Sequence, residues 1–200
     1  MPPLNGPAQI TTALLRVGEL VAARGLRVHI VLIGGSAFNL LGFVERATTD
    51  VDILAFADPA GGTFRLRRPD HPMPEELVRA ATIVARDLGL DPHWLNTGPA
   101  SQWDTGLPPG LEGRVTWREL AGLSVGLVAR EDLIFFKLYA AADDVGPASV
   151  HFQDLVALDP TDEELVAAGR WVVSQDPGTD FAAVVSKVID HVRIQRDRTR

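Results

Sequence analysis

The chain has 200 residues, 46% of them hydrophobic, with 19 basic against 26 acidic side chains and a formal net charge of −7. That length suits a core domain with an extension, and the negative balance argues against broad, nonspecific nucleic-acid binding, which depends on neutralising many phosphates. With no cysteine there is no disulfide framework, thiolate metal site or cysteine nucleophile; no apolar run reaches bilayer-spanning length and MPPLNGPAQ lacks a signal-peptide pattern, so a cytoplasmic protein without a membrane partner is expected.

In chain order, residues 7–24 show helical spacing, with Leu14, Leu15, Val17, Val21 and Ala22 on one side and Gly25 as a stop. A strand over 28–33, a short helix over about 36–43 and a strand over 49–55 follow. Residues 57–72, rich in Gly, Pro and Arg, read as a loop. A helix runs from Glu75 to Leu88 and stops at Gly89; His93-Trp94-Leu95-Asn96 reads as a third strand. Residues 97–112 are loop-like, and 114–117 and 123–129 read as strands. From Glu131 the pattern is helical, over about 131–143, 150–157, 161–175 and 179–195. Arg65, Arg67 and Arg68, and Arg193, Arg196, Arg198 and Arg200, form two local basic clusters, the second read as a frayed polar tail. The four tryptophans are expected in the core or over loops. His29, His71, His93 and His191 show no metal-ligand spacing.

One stretch carries most of the chemistry. The apolar run to Ile33 ends in Gly34-Gly35-Ser36, and after a helical stretch comes Thr49-Asp50-Val51-Asp52-Ile53-Leu54. On a strand, side chains two apart share a face, so Asp50 and Asp52 stand side by side while Val51 and Ile53 turn to the core. Adjacent carboxylates repel unless a cation lies between them, and hard oxygen ligands suit Mg²⁺. A glycine turn leading into a helix offers N–H groups and a positive dipole end to a phosphate. Each half is commonplace alone. A Gly-Gly-Ser turn is most often a tight connection, and Asp-x-Asp a solvated face.

A second cluster lies in the helical half. Lys137 shares a helix face with Leu133, Ile134, Ala140 and Ala141, and Asp154 lies among Phe152, Leu155 and Val156. A lysine on an apolar face snorkels to water or pairs with an anion. A Lys137–Asp154 contact would satisfy both charges, or position Lys137 over a nucleotide. His151 reads as a surface or capping residue.

Gly34-Gly35-Ser36, Arg46-Ala47-Thr48-Thr49-Asp50-Val51-Asp52, Lys137-Leu138-Tyr139-Ala140 and Asp154-Leu155, spread over residues 28–158, resemble the nucleotidyltransferase superfamily. The motif order is similar to that of the abortive-infection, type IV toxin–antitoxin nucleotidyltransferases and their bacterial relatives. The resemblance implies an α/β (α+β) fold. A polymerase-β-like core with a small mixed sheet would span 1–129, and a C-terminal helical region, 130–200, would pack on the cleft with Lys137 directed toward Ser36 and Asp52. It implies Mg²⁺, with Mn²⁺ as a substitute, at Asp50 and Asp52, and nucleotide contacts from Gly34, Gly35, Ser36, Arg46, Thr49 and Lys137. Asp154 would complete the catalytic set. The activity implied is transfer of a nucleoside monophosphate from NTP to an acceptor hydroxyl, as in toxins that modify the 3′ end of tRNA and are restrained by a cognate antitoxin. Many relatives place a third carboxylate on the strand that here reads His93–Asn96, which has no acid. That departure opens the alternative of a nucleotide-binding regulatory or interaction module. RNA, a protein side chain and a small hydroxylated molecule all stay open as acceptor.

Overall fold

The computed structural model describes residues 2–70, 72–144, 149–176 and 178–199; His71 and Arg200 lie outside them. The chain forms two compact units, Met1–Val128 and Ala129–Arg200. The fold is α+β with a mixed sheet, and among the described residues no helix is long and apolar enough to cross a membrane.

The first unit runs β1 (Leu4–Asn5), α1 (Gly6–Ala22), β2 (Val28–Ile33), α2 (Gly34–Leu41), β3 (Ala47–Thr48), β4 (Val51–Ala60), β5 (Thr63–Arg67), α3 (Glu75–Leu88) and β6 (Leu95–Asn96). A 3₁₀ turn (Gly98–Ser101), two single-turn helices, α4 (Gln102–Thr105) and α5 (Leu111–Arg114), and the hairpin β7 (Thr116–Leu120) and β8 (Leu123–Leu127) complete it. The sheet order is β5-β4-β2-β8-β7, with β6 beside the start of β4. Among the described residues, β2–β8 and β4–β6 are parallel and the other pairs antiparallel. β1 and β3 make a separate two-residue ladder.

The helices form where their apolar residues repeat at three and four. α1 buries Ile10, Ala13, Leu14, Val17 and Val21, and α3 ends at Gly89 in the left-handed conformation that glycine adopts without strain. Ile30, Leu32, Val51, Ile53 and Trp94 are fully buried. The Trp94 indole N–H donates to the Ala81 carbonyl at 3.0 Å. The expected loop over 57–72 is in large part the β4–β5 hairpin, turning at Gly61 and Gly62. Its glycines and arginines mask a strand because Phe64 and Leu66 alone supply the alternation. The 97–112 stretch likewise contains short helical turns, anchored by the Trp103 indole N–H on the Leu54 carbonyl at 2.8 Å.

The sheet is strongly curled. β5 and β7 lie at opposite ends of the strand order, roughly 19 Å apart in a flat sheet, yet the Phe64 and Trp117 rings are 4.1 Å apart, with His29 stacked on Phe64 at 4.7 Å. His29 Nδ1 lies 2.8 Å from Ser124 Oγ, which donates to Glu119 at 2.9 Å. Burial, outweighing the pull of Glu119, holds the His29 imidazole below its usual pKa.

The second unit packs α6 (Arg130–Asp143), α7 (Val150–Ala157), α8 (Asp162–Gln175) and α9 (Thr179–Thr199) together. Trp171 stacks against Phe135, Phe136 and Tyr139. Thr161 and Glu164 form a reciprocal capping box at the start of α8. The expected frayed tail is instead the last turns of α9, where Arg193 and Arg196 both reach Asp162.

Gly18 on α1 packs so closely on the β7–β8 turn that a side chain there would fall on the Leu120 carbonyl oxygen. In an open helix Gly→Ala gains about 1 kcal/mol. Here Gly18→Ala is expected to destabilise by about 1–3 kcal/mol through overpacking, read as a lower urea midpoint.

Candidate functional site

The antiparallel ladder pairs Ile33 with Asp52, and the parallel one pairs Asp52 with Asn96. Asp52 therefore lies between the end of β2 and β6, while Val51 and Ile53 are fully buried on the other face. α2 begins directly after Ile33, two residues earlier than its apolar pattern predicts. Gly34 takes φ +72, and a side chain there would collide with Asp52 Oδ2. A Cβ on Gly35 would meet Thr48 Oγ1 at 3.1 Å and the Arg46 guanidinium at 3.8 Å. Both glycines are thus dictated by space, and Gly34 by backbone conformation as well.

Thr48 links the second carboxylate to the same turn. Its hydroxyl donates to the Asp50 carbonyl at 3.1 Å and lies 3.4 Å from Asp50 Oδ1. Asp50 and Asp52 are both half-buried. Asn39, almost fully buried, donates to the Gly35 carbonyl at 2.9 Å and accepts the Arg46 N–H at 3.1 Å. That bridge fixes the approach of Arg46 to the glycine turn. Ile33 at the N-cap of α2 supplies no side-chain cap, so the positive end of the helix dipole meets the Asp52 carboxylate instead.

Ser36 and Thr49 take different positions. Ser36 is fully buried, and its hydroxyl donates to the Ile33 carbonyl at 3.2 Å, so it serves the turn rather than opening outward. Thr49 is exposed at the rim of a cavity of about 520 Å³ that Asp50, Asp91, His93, Trp94, Asn96 and Pro2 also line. Asn96 was visible in the sequence only as a position lacking an acid. Its Oδ1 accepts the Gly98 N–H at 2.8 Å, which turns its amide nitrogen to Asp52 Oδ1 at 3.3 Å.

Among the described residues no three His, Asp or Glu side chains converge to hold a metal. A cation at Asp50 and Asp52 would thus complete its shell with water and phosphate oxygens, which is the habit of Mg²⁺. The donor set fits that ion. Chemically, the turn offers two anionic oxygens, an amide donor and a guanidinium within one corner of the sheet.

Lys137 and Asp154, in the helical unit, pair with each other. Lys137 Nζ lies 2.7 Å from Asp154 Oδ2, with the side chains only 7% and 1% exposed. The His151 ring approaches Nζ at 3.5 Å, held in the first turn of α7 where the His151 N–H donates to Ser149 Oγ. Lysine and aspartate on apolar faces neutralise each other, as their positions predicted. Removing one charge strands the other in a dry interior, so Lys137→Ala is expected to lower stability by about 3–5 kcal/mol. Lys137→Met combined with Asp154→Leu should restore most of it, read by urea denaturation.

Comparison of the chain with protein-family models, with curated proteins and with solved structures gave no match.

Proposed function

We propose that the protein is a Mg²⁺-dependent nucleotidyltransferase with a polymerase-β-like core, moving a nucleoside monophosphate from NTP to an acceptor hydroxyl. The observation that supports it best is the approach of the Gly34–Gly35 turn to Asp52 and Thr48, with the Arg46 guanidinium alongside. In this reading Asp50 and Asp52 would hold the metal, which when bound would supply positive charge to the phosphates. The N–H groups opening α2 and the Arg46 guanidinium take the remaining phosphate charge. Arg46, close to the carboxylate pair in sequence and in the sheet corner, supplies a cation that the carboxylates themselves lack. Asn96 holds the Asp52 carboxylate by one oxygen, leaving its rotamer defined.

The test is transfer of label from each α-³²P NTP, with Mg²⁺, to total RNA, protein or small-molecule extract. Asp52→Asn should reduce transfer by about 10²–10³-fold, the scale for losing one preorganised electrostatic element, without unfolding. Arg46→Ala should raise the NTP KM about tenfold, as expected for one charged hydrogen bond. Label transfer by wild type and Asp52→Asn at equal rates would remove the catalytic reading.

Asn96 also supports a second reading, a nucleotide-binding module of the same fold. An amide occupies the strand position beside Asp52 where a further carboxylate would assist deprotonation of an acceptor. Calorimetry separates the two: Mg²⁺-dependent NTP binding without any transfer favours the module.

A further inference from the structure

The cavity beside Asp50 has a composition of its own. It is lined by two acidic residues, Asp50 and Asp91, by the polar residues Thr49, His93 and Asn96, and by Pro2, with the buried Trp94 beneath. No lysine or arginine is among these described lining residues. Its volume, about 520 Å³, is that of a small-molecule site rather than a groove for a polymer. It is joined to the carboxylate pair through two of its own residues: Asp50, and Asn96, which donates to Asp52.

The turn that carries Asp91 is braced by hydrogen bonds. One Asp91 oxygen accepts the His93 N–H at 2.8 Å, and the Asp91 carbonyl accepts the Trp94 N–H at 3.0 Å. Trp94 is pinned in turn by its indole bond to Ala81, and its carbonyl takes the Val51 N–H at 2.5 Å. Asp91 is therefore held at the cavity wall by the same turn that carries His93, while its charge does not depend on a metal at Asp50.

From this we infer that the cavity is the acceptor subsite, and that it takes a small polyol bearing an amine. The inference rests on the nucleotidyl-transfer reading of Asp50 and Asp52. An ammonium pairs with Asp91, hydroxyls bond to Thr49, His93 and Asn96, and the apolar side of the ring rests against Pro2. A nucleic-acid end is disfavoured here, because its phosphates would meet two carboxylates and no basic side chain, on a chain of net charge −7. In the transfer itself the acceptor hydroxyl oxygen bonds to the α-phosphorus. The bond from that phosphorus to the bridging oxygen breaks, pyrophosphate leaves with the electron pair, and the hydroxyl proton is released to solvent.

The experiment uses the full chain and two matched pairs of probes: glucosamine against glucose, and streptamine against scyllo-inositol. Binding is measured by calorimetry with and without Mg²⁺ and a non-hydrolysable NTP, and transfer from labelled NTP is measured beside total tRNA. The amine-bearing member of each pair should bind at least tenfold more tightly and accept label. Asp91→Asn should weaken that binding about tenfold, the scale of one charged hydrogen bond, and leave NTP affinity unchanged. An asparagine at 91 keeps the oxygen that accepts the His93 N–H, so the turn survives; a melting curve matching wild type checks this. Equal binding of amine and hydroxyl partners, insensitivity to Asp91→Asn, or label entering tRNA alone would each overturn the acceptor assignment while the NTP data stand. Failure of NTP and Mg²⁺ to bind at all would overturn the transfer reading and the acceptor assignment with it.

Discussion

Everything at the candidate site follows from how closely the backbone at Gly34 lies against the Asp52 carboxylate. Two strands and a helix start meet there, and a single methyl group would force them apart. The register that creates the contact includes a bulge. Val31 pairs with Ala55 but Leu32 pairs with Ile53, so Leu54 is the extra residue. Its carbonyl is not lost, because the Trp103 indole donates to it. Below the bulge, Asp52 is carried to the α2 side and Ile53 to the core. Without that shift the alternation of β4 would place the carboxylate on the wrong face.

Much of this was legible in the residues. Apolar residues recurring at three and four, followed by Gly89, define α3 to the residue, and the strand over 28–33 is dominated by β-branched residues, Val28, Ile30, Val31 and Ile33. The β4–β5 hairpin was hidden because Gly61-Gly62 and three arginines outweigh a short strand whose apolar side chains, Phe64 and Leu66, find their partners only through the curl of the sheet. At the site, Gly34, Gly35, Asp50 and Asp52 were readable because each obeys a local rule of spacing or conformation. Thr48, Asn96, Asp91 and His93 were not. Their importance arises from ladders and turns that join segments up to 44 residues apart, as Asn96 and Asp52 are, and no local pattern announces such neighbours.

The helical unit manages charge differently from the sheet unit. Lys137 and Asp154 are consumed by each other, and Arg130 is similarly occupied, donating to the Leu158 carbonyl at 3.0 Å and to Glu164. These contacts tie α6 to α7 and α8. In the sheet unit, by contrast, the carboxylates of Asp50 and Asp52 sit half-buried within one tripeptide.

The central pairing of the sheet has a consequence for how the chain is made. β2 acquires its parallel neighbour β8 only across a separation of 95 residues, measured at His29 and Ser124. On the ribosome, β2 and β4 therefore emerge and pair long before the strand that covers the other edge of β2 exists. Until then that edge presents unpaired backbone amides and carbonyls beside the valines and isoleucines of the central strand, the kind of surface on which nascent chains pair wrongly. The non-local topology also slows the final closure relative to the locally connected helices that follow. The interval between synthesis of β4 and of the β7–β8 hairpin is thus the period in which that edge of the sheet stands open.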